Sequence, residues 1–134
     1  MFRVVIGQAQ GIETECTAAD AIRHCRDQLA GDMAKAGLLF AASEFDLNRL
    51  TQMAGEAFAG IPIVGCTTAG SFSTAMGLSR DSICLMLFVS DTVSFAVGIG
   101  ENPLHDAPEA AREAAAMVLA ARPGEWSARP ARSY

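Results

Sequence analysis

The stretch that decides the fold is residues 37–70, GLLFAASEFDLNRLTQMAGEAFAGIPIVGCTTAG. It opens on Gly37-Leu38-Leu39-Phe40-Ala41-Ala42-Ser43, an apolar run without polar alternation, which reads as a strand buried on both faces, as in a parallel sheet. Asp46 then stands where a helix N-cap belongs, and Leu47, Leu50, Met53, Ala54, Ala57 and Phe58 recur at helical spacing as an inward stripe. Gly60 and Pro62 stop that helix. Ile61-Pro62-Ile63-Val64-Gly65-Cys66 reads as a second buried strand. Strand, helix and strand joined by short connections form a right-handed crossover and predict a parallel pair.

Moving toward the N-terminus, residues 3–7 read as a short apolar strand and Thr17 to Ala36 as a helix. Thr17 is the expected N-cap, with Asp20 suited to the helix dipole. Ala18, Ala21, Ile22, Cys25, Leu29 and Met33 make the core stripe. Gly31 weakens this helix, and Gly37 is placed to end it.

Toward the C-terminus, Thr67 to Asp81 is rich in Gly, Ser and Thr and reads as a loop. Ser82 to Val89 is strongly apolar and reads as a strand. Val93, Phe95, Val97 and Ile99 alternate with small or polar residues, so a hairpin with the preceding strand is expected. A third helix is predicted from Ala107 to Arg122, with Asp106 and Glu109 as a capping pair and Pro108 in the first turn. The expectation is an α/β domain over residues 1–122, a mixed and largely parallel sheet of about five strands covered by three helices. Residues 123–134 read as an irregular tail.

Length and composition bound the function. A chain of 134 residues fits one domain with a core, and 51% hydrophobic with 19% charged residues is ordinary for a folded protein. The net charge of -5 argues against a grip on phosphate backbones or anionic lipid, so neither nucleic acid nor membrane is an expected partner. No apolar run approaches the ~20 residues of a membrane span. Met1-Phe2-Arg3-Val4-Val5-Ile6 lacks the basic region of a signal peptide, so a cytoplasmic location is expected. Cys16, Cys25, Cys66 and Cys84 form neither CxxC nor zinc spacing. Reduced thiols are expected, with Cys25, Cys66 and Cys84 buried in apolar patterns.

Gly65-Cys66-Thr67-Thr68-Ala69-Gly70-Ser71 leaves the end of a predicted parallel strand with small residues, hydroxyls and free amides. Open α/β sheets gather ligands beyond the carboxyl ends of their parallel strands. Consecutive amides beside glycine can cradle a ligand. The candidate ligand-binding residues are therefore Ser43, Cys66, Thr67, Thr68, Ala69, Gly70, Ser71 and Ser73. The competing reading is a tight turn whose hydroxyls satisfy local backbone.

The strand Gly37–Ser43, the helix opening Phe45-Asp46-Leu47, and Ile61-Pro62-Ile63-Val64-Gly65-Cys66-Thr67-Thr68-Ala69-Gly70 together resemble the N-terminal domain of the FIST family. The apolar strand after a Gly-containing loop, Gly77 to Phe88, matches too, and the resemblance covers residues 1 to 122. It implies a bacterial-type sensory domain in signal transduction that binds a small ligand, with amino acids the usual proposal. A homodimer or a signalling partner protein is the implied output. Two departures stand out. The family carries an acidic or amide residue after Ala-Gly, where this chain has Ser71-Phe72, so a ligand amine loses a partner here. The family region also runs on into a C-terminal FIST region, so a partial domain is expected, and a non-sensing assembly module is the alternative.

Enzymatic chemistry is not expected. Cys66 at a strand end has no neighbouring base or cation in sequence to activate it. Glu13, Glu44 and Glu56 lie on different elements and make no carboxylate pair. No metal site or cofactor is expected. Haem, with nitric oxide sensing, is the alternative the resemblance carries, with His24 or His105 as the available iron ligands. Pattern alone reads His24 as a solvated helix residue and His105 as a loop residue.

Overall fold

The computed structural model describes residues 1–121. The predicted tail at 123–134, and Arg122 at the expected end of the third helix, lie outside the described residues. The elements run β1 (Phe2–Gln10), α1 (Thr14–Leu29), β2 (Ala36–Ala42), α2 (Leu47–Ala57), β3 (Ile63–Thr68), β4 (Ser71–Ser73), β5 (Gly77–Ser79), β6 (Ser82–Ser90) and α3 (Ala107–Ala120).

The main sheet has four strands in the order β1-β6-β2-β3. Only β2 and β3 pair in parallel, and β6 runs antiparallel to both β1 and β2. This corrects the expectation of about five largely parallel strands. The crossover reading did fix a common direction for β1, β2 and β3. It could not show that β6 inserts between β1 and β2. Residues 93–99 form no strand, despite their alternation. With both edges of β6 occupied, the expected hairpin partner has no backbone to pair with. The chain turns away after β6, with the Ser90 hydroxyl accepting from the amides of Thr92 and Val93. The predicted loop at 67–81 instead contains the small β4–β5 hairpin.

Helix α1 starts one turn earlier and ends seven residues sooner than predicted. Thr17 is buried inside it rather than capping it. Ala30, in the left-handed region at φ 52°, closes α1, and Met33 lies beyond the helix at 75% exposure instead of on the core stripe. Helix α2 follows its sequence reading closely: the Asp46 carboxylate accepts from the Arg49 amide at 3.0 Å. Leu50, Ala54 and Phe58 are buried, Met53 and Ala57 partly so, while Leu47 is exposed at the rim. Asp106 caps α3 in the same way, accepting from the Glu109 amide at 2.9 Å.

Both crossovers advance across the sheet in the same direction, so their right-handedness puts α1 and α2 on one face. There Val5, Leu85, Leu87 and Val89 of the sheet meet Ile22, Cys25 and Leu29 of α1 and Phe58 beyond α2. A second cluster joins Ala41 and Ile83 to Ala18, Ala21, Phe45 and Leu50. The opposite face is largely open along β1, where Phe2, Val4 and Ile6 are 55%, 39% and 43% exposed. Phe88 stacks on Phe2 and on Phe95 there, at 6.3 and 5.4 Å between ring centres. The three expected helices are all present, and the apolar face along β1 stays exposed beside them. No helix among the described residues is long and apolar enough to cross a membrane.

Candidate functional site

Strand β3 is the edge of the sheet, and this decides the site. It was expected to be buried, but among the described residues its one partner is β2, and Gly65, Cys66 and Thr67 are exposed. Its backbone register sets Leu39 beside Gly65, Phe40 beside Cys66 and Ala41 beside Thr67. A Cβ on Gly65 would stand 1.6 Å from the Leu39 carbonyl oxygen, so only glycine allows this approach.

Along the free side of β3 lies a cleft of ≈ 720 Å³. Its floor is Leu39 and Ala41 with Ile63 to Thr67, one wall is Leu47, Leu50 and Thr51 of α2, and the other is the stretch 96–99. That second wall is held by α3, whose Ala114 carbonyl oxygen would lie 1.9 Å from a Cβ on Gly98. Among the described residues the lining is mostly aliphatic and contains no lysine, arginine, histidine, aspartate or glutamate. The Thr51 hydroxyl donates to the Leu47 carbonyl at 2.7 Å, and Cys66 and Thr67 are the other polar side chains of the lining.

The eight candidate residues do not converge. Cys66 and Thr67 line the cleft. Thr68 ends β3 opposite Ala42, and Ala69 and Gly70 lead into β4. Ser73 accepts from the Met76 amide within its own turn, and the Ser43 hydroxyl donates to Glu44. Ser71 joins a polar cluster: its Oγ lies 2.5 Å from Ser82 Oγ and accepts from Gln8 Nε2 at 3.4 Å. Gln8 is buried, and its Oε1, like the Oγ of buried Ser79, has no hydrogen-bond partner among the described residues. Leu47, Leu50, Thr51 and Ala96 to Ile99 are cleft residues that the sequence reading did not place. Leu47 and Leu50 carried only a core-stripe signal, Thr51 carried none, and the last four resembled a strand.

The histidines separate as well. His24 is half-buried, and its Nδ1 lies 2.9 Å from the Gln8 carbonyl oxygen, tying α1 to β1; it is not a solvated surface residue. His105 is exposed in the turn before α3. The described residues contain no group of three or more His, Cys, Asp or Glu placed to hold a metal. Burial pushes the Cys25 thiol up to about 11 and also raises that of Cys84. Cys25 Sγ donates to the Leu85 carbonyl at 3.4 Å. Cys16 and Cys66 are exposed, so the expected burial of Cys66 is overturned by its place on the sheet edge.

The sequence model of the FIST N domain matches residues 35–132. No curated protein matches the chain.

Proposed function

The chain belongs to the FIST N domain family, and from that premise we propose that it is a sensory domain for signal transduction that takes a small ligand in the cleft beside β3. The observation that carries this reading is the cleft itself. A concavity of ≈ 720 Å³ with an apolar lining and a few polar groups has the size and character of a small-molecule site. It lies on the Gly65-Cys66-Thr67 strand that bears the family pattern. The role proposed is binding rather than catalysis, with no cofactor required. Ligand binding would change the spacing of α2 and residues 96–99 across the cleft and pass that change to a partner, which requires different affinities for the two arrangements. Thermal unfolding against the twenty amino acids and a panel of uncharged small molecules tests it. A ligand present at 100 times its Kd stabilises by about 2.7 kcal/mol. Indifference of the melting temperature to every compound would refute the reading.

The open sheet face favours a second reading, an assembly module that pairs with another copy of itself. Phe2, Val4 and Ile6 form an apolar patch on β1, and such patches mark interfaces. Sedimentation over a range of concentrations tests it, since a monomer at every concentration excludes self-pairing.

A further inference from the structure

We infer that the cleft beside β3 selects an uncharged molecule with an elongated apolar body, and not a free amino acid. The inference rests on the reading of this cleft as the ligand site. An amino acid brings an ammonium and a carboxylate together. Removing either from water without a partner costs several kcal/mol, so sites for charged groups carry opposite charges or dense hydrogen-bond donors. Among the described residues the lining offers neither.

The charged groups on α2 and at its N-cap are engaged elsewhere. Asp46 holds the Arg49 amide, so the first turn of α2 is already capped. The Arg49 side chain bonds Glu15 at 2.7 Å, and Gln52 bonds Glu56 at 2.8 Å. Thr51, the polar residue of the α2 wall, has its hydroxyl proton on the Leu47 carbonyl. The polar side chains that remain, Cys66 and Thr67, are neighbours on one strand. Successive side chains on a strand point to opposite faces, so on either side of β3 a ligand meets one uncharged polar group.

Size points the same way. The cleft of ≈ 720 Å³ is nearly five times the ~150 Å³ of an apolar cavity that holds one benzene molecule. One amino acid would fill only part of the volume bordered by Leu39, Leu47, Ile63, Val97 and Ile99. A longer apolar chain or fused ring body would fill more of it, at about 25 cal/mol for each Å² removed from water.

The test uses three probes on the full chain: 1-octanol, octanoate and L-leucine. The readout is the amide resonances of Gly65 and Gly98, one on each side of the cleft. The expected result is saturable shifts at both with 1-octanol, binding weaker by about tenfold or more with octanoate, and no shift with L-leucine at the same concentration. Leu47→Trp and Ile99→Trp, both at exposed rim positions, should each abolish the octanol shifts by filling the cleft, while the remaining amide spectrum reports an intact fold. Octanoate or L-leucine binding as tightly as 1-octanol at Gly65 and Gly98 would overturn the selectivity and leave the ligand site standing. Shifts confined to Val4 and Ile6 on the open sheet face, or no shift with any probe, would overturn both.

Discussion

Gly7 of β1 and Ala21 of α1 meet backbone to backbone: a Cβ on Gly7 would stand 1.9 Å from the Ala21 carbonyl oxygen and 2.7 Å from Cys25 Sγ. The first contact is with helix backbone, which cannot move aside as a side-chain tip can. This approach seats α1 on the sheet and buries Ala21 and Cys25.

Gly7→Ala is therefore expected to destabilise by at least about 1–3 kcal/mol, the usual cost of overpacking. Gly55, inside α2 with nothing within 4 Å of its would-be Cβ, provides the contrast. Gly55→Ala should stabilise by about 0.5–1 kcal/mol through helix propensity. Urea unfolding of the two variants checks both signs.

Leu50, 2% exposed, joins α2 to the core beneath the cleft. Leu50→Ala should cost about 2–5 kcal/mol. Arg49 is one residue away on the outer side, where its ion pair with Glu15 is exposed. Arg49→Ala should cost no more than about 1 kcal/mol. Similar unfolding midpoints for the two variants would show that the helix faces the sheet with a different side.

Asp46 caps α2 by accepting the Arg49 amide. Asp46→Ala should lower stability by about 0.5–2 kcal/mol, and Asp46→Ser should recover most of the loss, because serine also caps. Loss of stability without recovery in the serine variant would argue against the cap.

The thiols predict a labelling order. Cys16 and Cys66 are exposed and should react with a thiol reagent in the native protein, whereas buried Cys25 should react only on unfolding. Burial also lifts Cys25 from its ordinary 9.0 to about 11. Between those values the folded chain keeps a proton that the unfolded chain releases, so stability should fall as pH rises from about 9 toward 11. Unfolding midpoints measured across that range, with Cys25→Ala showing a shallower decline, check the sign. Cys84, also raised by burial, should account for part of the slope that remains.

The sequence by itself determined the features that depend on neighbours along the chain. Asp46 and Asp106 were legible as caps because an N-cap bonds an amide three residues on. The Leu50, Ala54 and Phe58 stripe was legible because helical periodicity is local. The run Ile61 to Cys66 was legible as a strand, and two of the candidate residues, Cys66 and Thr67, lie in the lining of the cleft beside it. Thr17 was misread because a threonine before an apolar stripe suits a cap equally well as a buried position inside the helix.

Tertiary structure alone decided which strand edges meet. Alternation in Val93, Phe95, Val97 and Ile99 is what a strand requires, but β6 had given its two edges to β1 and β2, so those residues became a cleft wall instead. Pairing of β6 with β1 and β2 also left β3 at the edge, which exposed Cys66 and opened the groove between α2 and residues 96–99. A strand's own residues specify that it will pair and which face is apolar. Its partners depend on backbone hydrogen bonds that any strand can make, and the choice among them falls to the packing of the whole sheet against α1 and α2.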